Sequence, residues 1–166
     1  MPDFDFRYLL LGALAIALLI AAYTDMRRRQ IDNWLNAAIA VSAPLYWWAA
    51  GYSLWPDAVY QIGLALAVFA VFAVLFALRW MGGGDVKLLT ALALWIAPNW
   101  FLKLLIVMAL VGGVLTLLLG MWHIARRQRD CLAIPYGVAI ASAGLWVIAT
   151  QYSNTITVAG LATGLK

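Results

Sequence analysis

The chain is predicted to be an all-α, polytopic membrane protein with about six transmembrane helices and both termini outside the cytoplasm. Three observations carry that prediction. Of its 166 residues, 66% are hydrophobic and 11% charged, where a soluble domain runs at about a quarter charged. The apolar residues form long runs between helix breakers, without the alternation that a membrane barrel needs. Lysine and arginine collect at the ends of alternate runs, as the positive-inside rule requires.

The first run covers residues 8–23. Asp3 and Asp5 precede it against a single Arg7, which is not the basic start of a signal peptide, so an uncleaved span is expected. The second, 34–50, follows Asp32, a residue type that caps helix starts, and Pro44 is expected to kink it. The third covers 58–80 and ends at the tetrad Gly82-Gly83-Gly84-Asp85. The fourth, 85–97, is short: at about 1.5 Å per residue it covers about 20 Å of a hydrocarbon core about 30 Å thick. Either the bilayer thins there or Asp85 sits in a water-filled recess, and both options put the carboxylate at a lipid boundary. Pro98-Asn99 leads into the fifth run, 100–124, and the sixth covers 132–150. With no room for a separate soluble unit, residues 1–166 read as one transmembrane domain.

Arg27 to Arg29, Arg79 with Lys87, and Arg126, Arg127 and Arg129 fall in alternate connections, which assigns that side to the cytoplasm. Trp34, Trp80 and Trp122 then lie at inner ends. Trp47, Trp48, Trp55, Trp95 and Trp100 lie at outer ends, as interfacial belts. Lys103 is expected to snorkel to the outer surface. The net charge of +4 therefore belongs to topology and anionic headgroups, not to a nucleic-acid footprint. The expected partner is the lipid bilayer.

Cys131 is the only cysteine and His123 the only histidine. That excludes an internal disulfide and a Cys-x-x-Cys site, and no metal or other cofactor is expected. The chemistry must come from the seven acidic residues, all aspartates. An ionisable group kept at membrane depth marks a functional site, and Asp85 is such a group. Its partner must share its side of the membrane. Asp3, Asp5 and Asp57 lie outside, and Asp130 follows a run of arginines that would pair with it in solvent. Asp32 has its capping role, which leaves Asp25, returned to the same side as Asp85 by two crossings. Two carboxylates a few ångströms apart share one proton, so one can take a proton from water while the other polarises a carbonyl. The plain alternative is two carboxylates paired with neighbouring arginines. Gly82, Gly83 and Gly84 are not a P-loop, since no strand precedes them and no Gly-Lys-Ser/Thr follows. They permit a tight turn and the close approach of another chain, either a packed helix or a substrate backbone.

Residues 82–89, Gly-Gly-Gly-Asp-Val-Lys-Leu-Leu, resemble the G-x-G-D-x-K-L motif of the type IV prepilin peptidases. Residues 25–33, Asp-Met-Arg-Arg-Arg-Gln-Ile-Asp-Asn, resemble that family's D-x-R-x-R-x-I-P-N motif. Ile134-Pro135-Tyr136-Gly137 is similar to its I-P-[YF]-G element. The resemblance implies a membrane-embedded aspartyl endopeptidase with Asp25 and Asp85 catalytic. Its substrate would be a prepilin or pseudopilin, whose short basic leader is removed at the cytoplasmic face. Asp32 departs from the family's proline. With one cysteine and about ten residues between the first two runs, the chain resembles the short branch serving tight-adherence (Flp-type) pili, with no N-methyltransferase activity expected. The rival readings are a small ion- or proton-coupled transporter and a non-enzymatic pilus-assembly component. The aspartates lie at span ends and no repeat between halves is evident, which disfavours transport.

Overall fold

A computed structural model describes residues 3–125 and 136–163. The fold is all-α. The helices are α1 (Asp3–Arg28), α2 (Asn33–Ala49), α3 (Val59–Ala77), α4 (Gly83–Ala93), α5 (Pro98–Ala125) and α6 (Tyr136–Thr163). An irregular helical turn, Leu54–Ala58, leads into α3. Three stretches, Phe6–Arg28, Leu54–Ala77 and Pro98–His123, are long and apolar enough to cross a membrane, and Tyr136–Gln151 is a shorter apolar helix. Arg126 to Arg129, Asp130, Cys131, Ile134 and Pro135 lie outside the described residues.

α4 is the axis of the bundle. It packs against α2, α3 and α6, while α1 joins α2 to α6 and α5 lies on α6. Seven of its eleven residues are buried, and Leu88, Leu89 and Leu92 are wholly enclosed with Leu18, Ile140 and Val147. Most of this helix is enclosed by protein, so it has no need to match the bilayer's thickness. α1 and α6 approach closely enough that a methyl on Gly144 would meet the Leu18 side chain at 2.8 Å, the small-residue contact that membrane helices use.

A buried helix end must satisfy its orphan carbonyls. Buried Gln61 of α3 donates from Nε2 to the carbonyls of Ala93 (2.9 Å) and Ile96 (2.7 Å). The Trp47 indole donates to the Leu94 carbonyl at 2.7 Å. Replacing Gln61 by leucine strands two buried acceptors, and the expected cost is about 1–3 kcal/mol. Thermal unfolding in detergent, followed by circular dichroism, would register it as a lowered Tm.

Two expectations are corrected here. Trp95 is 4% exposed, stacked on Tyr46 at 5.0 Å between centroids, and donates to the Ile39 carbonyl at 2.7 Å. It belongs to the core and not to an interfacial belt. Asp32 does occupy the N-cap position of α2, but its side chain makes no capping bond. Its main-chain carbonyl instead accepts from Leu35 and Asn36. Lys103 is exposed, with its ammonium 4.0 Å from the centroid of the Trp100 ring, a cation–π contact suited to an aqueous edge.

Two helices ending at one pole of the bundle finish in the left-handed region. Arg29 follows α1 at φ 53° and Arg79 follows α3 at φ 61°. At Arg79 the bonds are those of a Schellman cap: Trp80 N–H to Leu75 O at 2.9 Å and Arg79 N–H to Phe76 O at 2.9 Å. That position ordinarily carries glycine, and a residue with a Cβ holds it at a cost of about 1–2 kcal/mol.

Candidate active site

The end of α1, the end of α3 and the starts of α4 and α6 meet at that pole around an open cavity of about 810 Å³. Asp25, Arg29, Phe76, Arg79, Gly82, Asp85 and Tyr136 are among its lining residues. A smaller recess of about 310 Å³ shares both aspartates and adds Asn33, Gly83 and Gly84. Asp25 and Asp85, 6% and 9% exposed, thus face one cavity, near enough for the charge of Asp25 to act on Asp85. The helix-parity reading required them to share one pole, and they do.

Each aspartate is oriented by a helix start. Asp85 is the third residue of α4, counted from its N-cap Gly82. Its carboxylate lies close against Gly82, where a Cβ would stand 3.0 Å from Oδ2. Asp25, near the end of α1, accepts from the Gly137 N–H at 2.8 Å, at the start of α6, where anions are favoured. A Cβ on Gly137 would lie 2.8 Å from Asp25 Oδ2 and 2.9 Å from its Cγ. No side chain fits there. Arg29 adds a nearby positive charge to Asp25.

The glycine tetrad works through close approach. None of Gly82, Gly83 and Gly84 has a left-handed backbone, so the turn that glycine alone permits is not what they supply. A Cβ on Gly82 would come 3.0 Å from Asp85 Oδ2, on Gly83 3.1 Å from the Phe76 ring, and on Gly84 3.2 Å from Ile31 Cβ. The partners of Gly83 and Gly84 are the protein's own side chains. Gly82 opens onto both cavities.

Sequence reasoning missed the bonds that hold the motifs together. Buried Asn36 of α2 donates to the Gly84 carbonyl at 3.3 Å, next to Asp85. Lys87 Nζ donates to Asn33 Oδ1 at 2.7 Å, tying α4 to the start of α2. Gly137 had a signal in its Ile-Pro-Tyr-Gly setting, though no role followed from it. Asn36 had a weaker one, as a lone amide in an apolar run. Among the described residues no cluster of His, Cys or acidic side chains is arranged to hold a metal.

With this geometry in place, comparison with known proteins is informative. Residues 12–121, which hold both aspartates, match the type IV leader peptidase family. The chain belongs to that family. It is 28% identical over 162 residues to the prepilin leader peptidase/N-methyltransferase of Xanthomonas campestris pv. campestris, covering 87% of this chain and 51% of that protein. The chain therefore spans about half the length of this curated relative. No solved structure matches it.

Proposed function

We propose that this leader peptidase family member is an aspartyl endopeptidase that removes the leader from type IV prepilins or pseudopilins of the Flp class. The observation that carries this reading is the meeting of Asp25 and Asp85 in one cavity, on a chain of that family.

In this reading one carboxylate, ionised, takes a proton from water as the oxygen attacks the scissile carbonyl carbon. The other, protonated, gives its proton to the carbonyl oxygen. Collapse of the tetrahedral species breaks the C–N bond, and the proton held by the first carboxylate goes to the leaving amine. As the carbonyl re-forms, the proton on its oxygen returns to the second carboxylate, so the pair ends the cycle as it began, one aspartate ionised and one protonated. Gly82 lies beside Asp85, where an extended substrate backbone would run, with Gly83 and Gly84 flooring the smaller recess.

Six crossings with both termini outside a bacterial inner membrane, in one domain over 1–166, would put this pole at the cytoplasmic face. Arg27, Arg28, Arg79 and Lys87 near the pole support that orientation. N-methyl transfer is not part of the proposed activity: only four residues, 29–32, connect α1 to α2, and they hold no cysteine. The test is to mix membranes containing the chain with a Flp-type prepilin, a methyl donor and no other enzyme. Leader removal without mass gain from a methyl group is expected. An uncut precursor across several prepilins would overturn the peptidase reading.

A further inference from the structure

The cavity that holds the aspartates also holds two cations to which the proposed hydrolysis gives no part in binding substrate. Arg29 and Arg79 both line it. They are also the two non-glycine residues with left-handed backbone among the described residues. A left-handed non-glycine residue persists only where its surroundings hold it, and such residues gather at ligand clamps. The ordinary explanation is a cation complementing a helix C-terminus, but Arg27 and Arg28 already supply that in the last turn of α1. Arg27 lies over the Tyr23 ring at 5.6 Å, and neither it nor Arg28 lines the cavity. Of the three arginines only Arg29, the one with the left-handed backbone, lines the cavity. Arg79 repeats the arrangement after α3, in a cap that glycine fills with less strain. Among the described residues its guanidinium has no hydrogen-bond or ion-pair partner.

We infer that Arg29 and Arg79 form a carboxylate-binding subsite that engages an acidic side chain of the substrate polypeptide beside the scissile bond. The inference rests on the peptidase reading above. A guanidinium presents a planar fork that matches a carboxylate. A pair of forks, one from the end of α1 and one from the end of α3, would fix the register in which the chain crosses Asp25 and Asp85. A lipid phosphate has the same charge chemistry, but its glycerol body would fill the space the polypeptide needs. Arg27 and Arg28, outside the cavity, are the better placed headgroup contacts.

The test uses full-length protein in membranes and a set of precursors, each carrying one glutamate or one glutamine at successive positions from the cut. Wild type is expected to favour glutamate at one position, with KM about tenfold lower than for glutamine there and kcat little changed. Arg79→Gly relieves the left-handed strain, so it should unfold at an equal or higher temperature while losing that preference. Arg29→Gln should weaken it as well, and Arg79→Lys should restore part of it. Equal KM for every glutamate–glutamine pair in wild type would overturn the proposal. So would a preference that survives intact in Arg79→Gly. Should activity instead track anionic lipid in wild type and not in Arg79→Gly, the subsite is a headgroup site and the substrate assignment is wrong. Failure of wild type to cut any precursor would sink the peptidase reading itself, which separates the two failures.

Discussion

Asp85→Asn and Asp25→Asn should each reduce leader cleavage by about 10²–10⁴-fold, the range that one positioned acid or base contributes. The two side chains are nearly isosteric, so neither change opens a hole in the bundle. Asparagine keeps an oxygen able to accept from the Gly137 N–H, and the bond at 2.8 Å can survive in Asp25→Asn. What each variant loses is the ability to hold and release a proton. Helicity and Tm should therefore stay near wild type while cleavage of a prepilin, followed by gel mobility, falls to background. A variant that unfolds would point to a structural duty for the carboxylate, and one that still cuts would remove it from the chemistry.

Gly137→Ala is the second large effect, and it reaches the chemistry without touching an ionisable group. The added methyl would stand 2.8 Å from Asp25 Oδ2 and 3.0 Å from its Cβ, well inside contact distance. Either Asp25 rotates away from the start of α6 or α6 shifts outward. Both movements misplace the carboxylate relative to Asp85, and a misplacement of about 1 Å can cost about 10²-fold in rate. The expected result is a drop of that order in kcat, with substrate binding less affected. Alanine at Gly113, where an added Cβ meets nothing within 4 Å, is the control and should leave cleavage unchanged.

These two predictions differ in how far each was legible from sequence. Asp25 and Asp85 could be paired because side of membrane follows from counting crossings and charges, which needs no tertiary detail. Helix ends were legible wherever a breaker marks them: α5 begins at Pro98, two residues before the apolar run. α1 was underestimated at both ends, since hydropathy follows the apolar run while the helix continues through Asp3 and Arg28. The role of Gly137 was not legible, because its contact with Asp25 spans 112 positions. Trp95 was misplaced for a related reason. Its height along the helix axis suits an interfacial belt, but which way it faces depends on Tyr46 and Ile39 of α2. The enclosure of α4 escaped because it is made by α2, α3 and α6, contacts that the eleven residues of the helix do not announce. The Asp32 side chain shows the limit of capping statistics, which predicted its position and not its bond.

The central claim is that Asp25 and Asp85 act as one unit on one bond. Cleavage rates of wild type, Asp25→Asn, Asp85→Asn and the double variant on a single prepilin test it most directly. Members of one catalytic unit are grossly non-additive, so each single variant should already sit at the level of the double. Single losses that multiply in the double variant would mean that the two aspartates contribute independently, and would contradict a shared site.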